Sequence, residues 1–152
     1  MSSSRSFWDD YPNFQHQPSA PIRSEFNRLA DEMGWRKKTR KEQWGRCGQV
    51  EFERYFGANE PDLAAWQAML AFCGVEQKVV PDSVTKCKAM LNGQIFVNIY
   101  DLLDAKRTGE PVKRHHSRNA LRVYILQSKA RVFPKARAKK NAFLKVLLIG
   151  VF

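Results

Sequence analysis

The sequence has few of the residues that crosslinked, secreted or membrane-spanning proteins depend on. It contains three cysteines, an odd number that excludes a complete set of internal disulfides. No stretch approaches the ~20 apolar residues needed to span a bilayer. The first twenty residues lack the apolar run of a secretory signal, and there is no Asn-x-Ser/Thr acceptor. We therefore expect a reducing intracellular compartment and no membrane partner.

Residue patterns that carry catalysis are also scarce. His16, His115 and His116 form no i, i+4 pair, and there is no Cys-x-x-Cys, so no zinc ligand set is evident. Glycine-rich phosphate-binding loops are missing as well. A Cys87–His115 nucleophile pair stays open as an alternative, although no third group is placed to orient it. We predict a protein that is not an enzyme and has no metal or cofactor.

Composition favours one folded domain. The chain has 152 residues, of which 43% are apolar and 12% aromatic, which is too rich for a disordered protein. Residues 1–18 have no helical period and predict an irregular or disordered arm, with its aromatic side chains on the domain surface. Residues 19–152 predict a single helical domain with a basic C-terminal third, residues 105–152.

Apolar spacing and capping residues predict seven short helices. Their starts are expected at Pro21, Thr39, within 59–62, after Asp82 or Ser83, at Asn98, at Ser117 and at Pro134. The sixth helix is expected to reach Ala130 and the last to reach about Ile149, whereas Asn92-Gly93 indicates a turn. Only residues 95–97 look strand-like. The prediction is an all-α, compact single-domain bundle.

The cysteines and three of the tryptophans lie at or beside inner helical positions. The residues concerned are Cys47, Cys73, Cys87, Trp35, Trp44 and Trp66. Free cysteines behave as small buried hydrophobes, and large aromatic side chains dominate cores. We therefore predict that all six are largely buried.

Positive charge is concentrated at one end of the chain. Residues 105–152 hold 13 Lys+Arg and one acid, out of 26 Lys+Arg and a formal charge of +11 in the whole sequence. Clusters of this kind bind nucleic acid by neutralising phosphates and releasing counterions. We predict nucleic-acid binding, with DNA the first candidate, or alternatively binding to an acidic protein surface. The predicted contacts are Lys113, Arg114, Arg118, Arg122, Lys129, Arg131, Lys135, Arg137, Lys139 and Lys140.

Two details refine this hypothesis. Arg118, Arg122 and Lys129 have the i, i+4, i+11 spacing of one helix face. Tyr124 and Phe133 are candidate stacking groups, although core positions are the alternative for both.

A second basic run lies near the start of the predicted second helix. It comprises Arg36, Lys37, Lys38, Arg40 and Lys41. Such a run is typical of a nuclear import signal and can equally contact phosphate. We therefore expect the nucleus, or alternatively the cytoplasm, as the location of the protein.

The chain resembles a group of uncharacterised proteins from filamentous fungi over roughly residues 11 to 152. The motifs that carry the resemblance are Glu25-Phe26-x-Arg28-Leu29-Ala30, Gly34-Trp35, Trp44, Cys47, Glu51-Phe52, Phe56-Gly57, Leu63-x-x-Trp66-Gln67, Ser83-Val84-Thr85-Lys86-Cys87-Lys88, Val97-Asn98-Ile99-x-Asp101-Leu102, Phe133-Pro134-Lys135 and Ala138-Lys139. The resemblance supports an intracellular, including nuclear, location. It implies no activity and no catalytic residue.

The last eleven residues, 142–152, contain a single charge. An apolar end of this kind must be covered. It either packs into the core of its own domain, or leaves Val151 and Phe152 exposed as a docking patch for a partner or a second copy. The second alternative, together with exposed aromatic side chains, predicts a protein-interaction module without catalysis.

Overall fold

The chain folds into packed helices in the computed structural model, which describes residues 5–149 and 151. The α-helices are α1 (Ile22–Met33), α2 (Lys37–Phe56), α3 (Leu63–Phe72), α4 (Val84–Gln94), α5 (Ile99–Thr108), α6 (Arg118–Leu126) and α7 (Ala142–Leu148). Short 3-10 helices lie at Phe7–Asp10, Gln77–Val79, Lys129–Arg131 and Lys135–Ala138. Within the described residues there is no strand, only an isolated bridge between Phe96 and His115. The predicted all-α class is confirmed.

Side-chain caps begin most of the later helices. The side chain of Ser83 accepts from the N–H of Lys86, and that of Ser117 accepts from Ala120. Asn98 caps α5 in the same way. These caps satisfy backbone N–H groups that the first helical turn leaves without partners. The sequence identified Asn98 and Ser117, and Ser83 was one of two alternatives for the start of α4.

The structure overturns the predicted boundaries of the last two helices. The sixth helix ends at Leu126, and residues 129–131 form a separate 3-10 helix after an extended Ser128. The predicted last helix divides at Asn141, whose side chain accepts from the N–H of Leu144 and donates to the carbonyl of Gly57. An asparagine with partners on both sides begins a new helix more readily than it continues an old one.

The predicted turn at Asn92-Gly93 is also wrong, because α4 continues through both residues. The turn signal is local, and the packing of Leu91 in the core holds the helix together at this point.

The main core occupies the centre of the bundle. Trp66, Phe52 and Leu102 are fully buried there, and the Trp66 ring contacts Phe143 at 4.5 Å between centroids. The three cysteines are free and buried as predicted. Of the three tryptophans predicted to be largely buried, Trp66 is fully buried, whereas Trp35 and Trp44 are only partly buried, which corrects the prediction for these two.

The apolar C-terminal end covers this core. The buried residues are Phe143, Leu144, Leu147 and Val151, which agrees with packing into the domain and disagrees with an exposed Val151. Phe152 lies outside the described residues. Val151 belongs to a smaller cluster with Leu121 and Ile125, which fixes α6 to the bundle.

The N-terminal segment differs from the predicted surface arm. Phe7 is fully buried in the main core, and Trp8 and Phe14 are buried with it. The backbone N–H of Phe7 donates to Glu51 at 2.9 Å, and Arg107 donates to the carbonyl of Ala20 at 2.7 Å. Buried charged side chains therefore supply the backbone partners that an irregular segment lacks.

Candidate nucleic-acid interface

A cleft of about 610 Å³ opens between α1, α2 and the segment of residues 129–134. Its lining combines cations with apolar groups and contains no acidic residue among the described positions. The lining residues are Arg23, Phe26, Asn27, Lys37, Arg40, Lys41, Trp44, Gly45, Lys129, Ala130, Val132 and Pro134. The cleft thus brings together residues more than one hundred positions apart.

The inner part of the cleft is built around Trp44 of α2. Its indole stacks on Tyr100 of α5, with 4.3 Å between ring centroids, and lies 5.1 Å from the ring of Phe26. The stack depends on Gly48, because a Cβ atom there would lie 2.7 Å from the Tyr100 ring. Glycine at position 48 therefore lets α2 approach α5 closely enough to seat the indole.

Three hydrogen bonds hold the opposite wall in place. The Nε1–H of Trp44 donates to the carbonyl of Ala130 at 2.9 Å, and Asn98 donates to the carbonyl of Arg131 at 2.8 Å. The Arg131 guanidinium donates to the carbonyl of Tyr124 at 2.8 Å. Because these bonds satisfy the irregular backbone, the segment carrying Lys129 is fixed against α2.

The cations of the lining are mostly unpaired. Arg40 forms an ion pair with Asp31 at 2.9 Å. In the described part of the chain, Arg23, Lys37, Lys41 and Lys129 lie within 4 Å of no carboxylate. Like charges on the walls of one cleft raise the local concentration of anions.

Several predicted contacts meet in this cleft. Lys37, Arg40 and Lys41 come from the run near the start of α2, and Lys129 comes from the basic third. Arg36 and Lys38 are exposed beside them but do not line it. Lys129 reaches the cleft because it lies beyond α6, which corrects the predicted common face with Arg118 and Arg122.

Other predicted contacts lie apart from the cleft. Three of these arginines bind polar groups of the fold: Arg118 donates to the carbonyl of Asn92, Arg114 to that of Cys73, and Arg137 to the side chain of Gln49. Lys135 and Arg131 line a small separate cavity, and Arg122, Lys139 and Lys140 are exposed. The structure therefore places the basic third on several sides of the bundle.

The two predicted stacking groups are engaged within the fold. Phe133 is buried. The ring of Tyr124 lies between the ammonium of Lys113 at 4.2 Å and the guanidinium of Arg131 at 3.8 Å. Burial and a hydrogen bond to Asp101 raise the pKa of Tyr124 to about 12, so the phenol is neutral at physiological pH.

Sequence reasoning missed Arg23. It lies on α1 four residues before Asn27, and both line the cleft. The i, i+4 spacing of two polar residues around Phe26 was the available signal, because such positions share one helix face. Nothing in the local sequence indicated that this face meets Lys129.

The nucleophile alternative receives no support from geometry. The Cys87 thiol donates to the carbonyl of Pro81, whereas the His115 ring lies against Tyr124. Burial raises the pKa of the Cys87 thiol, and it raises that of Cys73 to about 12. Among residues 5–149 and 151, no three His, Cys, Asp or Glu side chains are grouped closely enough to hold a metal.

No α-helix in the described part of the chain has the length and apolar character needed to cross a bilayer. No protein-family model matches the chain, and no curated protein or solved structure shows significant similarity to it.

Proposed function

We propose that the protein binds nucleic acid, with DNA the first candidate, through the cationic cleft between α1, α2 and residues 129–134. The observation that carries the proposal is the meeting of five cations from three chain segments around one cleft whose described lining has no acid. Lysine and arginine neutralise phosphates and release condensed counterions.

The docking alternative has less support. Of the two C-terminal residues that it requires to be exposed, Val151 is buried and Phe152 lies outside the described residues. The proposal includes a nuclear location, supported by the exposed basic residues at the start of α2.

Charge reversal inside the cleft tests the function. The variant Lys37→Glu, Lys41→Glu, Lys129→Glu removes three unpaired cations. We expect its affinity for DNA, measured by fluorescence anisotropy, to fall by at least about tenfold at low salt. We also expect the salt dependence to weaken, by about two in the slope of log K against log salt.

A matched variant separates the cleft from net charge. Lys78, Lys86 and Lys145 are exposed, lie outside the cleft, and give the same charge change when all three become Glu. We expect this control to retain most of the affinity, and circular dichroism should show both variants folded. Equal losses in the two folded variants would contradict binding in the cleft. Tighter binding to an acidic peptide than to DNA or RNA would favour the acidic-protein alternative.

A further inference from the structure

The lining of the cleft combines five cations with an apolar wall, formed by the half-buried Trp44 and Pro134 and the exposed Val132. We propose that the cleft takes an unpaired nucleotide, with the phosphate among these cations and the base against the apolar wall. This inference rests on the proposed function and names the form of nucleic acid that the site prefers, a single strand or an unpaired position.

The size of the cleft supports this ligand. A volume of about 610 Å³ lies within the range of about 300–1,000 Å³ typical of sites for small organic molecules. A duplex presents phosphates and sugars on its outside and keeps its bases stacked. Phosphate binding to a duplex therefore makes no use of an apolar interior, whereas an unpaired nucleotide presents both a charge and a base.

The composition of the wall points the same way. Val132 is 40% exposed although it lies in a cleft with Lys37, Lys41 and Lys129. Phosphate contacts alone give no role to an exposed valine in a cationic cleft, while a base covers apolar surface and removes it from water. Single-strand-binding grooves combine these two features, positive charge along the backbone and apolar or aromatic contact to the base.

Trp44 limits how the base is held. One face of the indole is covered by Tyr100, and Phe26 lies close on a tilted plane. The base therefore packs against the remaining exposed surface of the indole and is not sandwiched between two rings. The hydrogen bond from Trp44 to Ala130 fixes the indole and the wall together, so the site is formed before the ligand arrives.

Oligonucleotides with and without bases test the inference. Fluorescence anisotropy would compare three probes: an oligothymidylate of about eight nucleotides, an abasic oligomer of equal length and charge, and a blunt-ended DNA duplex of the same length. We expect the oligothymidylate to bind at least about fivefold tighter than the abasic oligomer, and also tighter than the duplex.

A variant of the wall assigns that preference to the cleft. Val132→Ser should reduce oligothymidylate binding about threefold or more and leave abasic binding unchanged, since the cations remain. Val123→Ser is the matched control, because Val123 is 51% exposed on α6 and lies outside the cleft. It should change neither affinity.

The outcomes separate the two proposals. Equal affinity for abasic and base-bearing strands, with binding still lost on charge reversal in the cleft, would overturn the nucleotide inference and leave phosphate binding intact. Equal oligothymidylate affinities of Val132→Ser and Val123→Ser would likewise overturn the nucleotide inference. Absence of binding to every oligomer would overturn both proposals.

Discussion

Two buried glutamates, Glu25 and Glu51, bind the backbone of the N-terminal segment. Glu51 is fully buried, accepts from the backbone N–H of Phe7, and pairs with Arg54 at 3.3 Å. Glu25 likewise accepts from the N–H of Gln17 at 2.7 Å. A buried charge is costly unless it is paired and hydrogen-bonded. The backbone N–H groups of the N-terminal segment therefore stabilise the two buried carboxylates, and the carboxylates in turn hold the segment against the core.

His16, in the same segment, is neutral and accepts a hydrogen bond from Arg107. Its Nε2 lies 2.8 Å from the Arg107 guanidinium, and since arginine only donates, the imidazole nitrogen must accept. Burial, together with the nearby Arg107 charge, lowers the pKa of His16 from 6.5 to about 4. Its ring also stacks on Trp8 at 4.1 Å.

We expect stability to fall as the pH drops from 6.5 towards 4. In this window the unfolded chain protonates His16 and the folded chain does not, so protons favour unfolding. His16→Gln keeps an acceptor for Arg107 but cannot titrate, and its unfolding free energy should depend less on pH. Urea unfolding at several pH values measures this.

Part of the pH slope should persist in that variant, because burial also lowers the pKa of His115. Identical pH dependence in the wild type and in His16→Gln would show that His16 is not held neutral.

At the scale of elements, the packing of α2 against α5 decides the geometry of the cleft. Gly48 faces the ring of Tyr100, and Gly45 faces the side chains of Pro134 and Arg137. Both glycines lie inside the continuous helix α2 at some cost in helix propensity, and in return the neighbouring elements approach its backbone. A Cβ atom at position 48 would require the Tyr100 ring to shift, and one at position 45 would crowd Pro134 and Arg137.

Gly48→Ala should lower the free energy of unfolding by about 1–3 kcal/mol, because the added Cβ atom overlaps the Tyr100 ring. Gly93→Ala is the control. Gly93 lies in α4 with no atom within 4 Å of the new Cβ, so alanine should be neutral or stabilise by up to about 1 kcal/mol. Denaturant unfolding compares the two, and equal effects would contradict the close approach of α2 and α5.

At the scale of the whole molecule, both ends of the chain complete one core. Phe7 from the N-terminal segment and Phe143 from α7 belong to the same buried cluster. The net free energy of unfolding of a domain is small, so the loss of either end is expected to destabilise the whole fold.

Deleting residues 143–152 should therefore give an insoluble protein, or one that melts at a much lower temperature. The deletion removes Leu144, which is fully buried, and uncovers Trp66. Thermal unfolding followed by circular dichroism, with size-exclusion chromatography, measures both results. A truncated chain that keeps its melting temperature and loses only self-association would instead support the docking alternative.

Secondary structure was largely predictable, except at the N-terminal segment, at Asn92-Gly93 and between residues 127 and 141. Apolar spacing identified α1, and capping residues located the starts of α4, α5 and α6. The break after Leu126 escaped prediction because distant groups, Trp44 and Asn98, bind the carbonyls of residues 130 and 131. The first turn of α7 depends in the same way on Gly57.

The sequence by itself determined the helical class, the caps and the excess of positive charge, because these depend on residue type and on neighbours a few positions away. Only the tertiary structure decided which cations share a site. Lys129 meets Lys37 and Lys41 in the cleft, whereas Arg118 and Arg137 bind carbonyl and amide groups of the fold. It also turned the expected N-terminal arm into core. Contacts across a hundred residues depend on how the helices pack, and no local pattern records that packing.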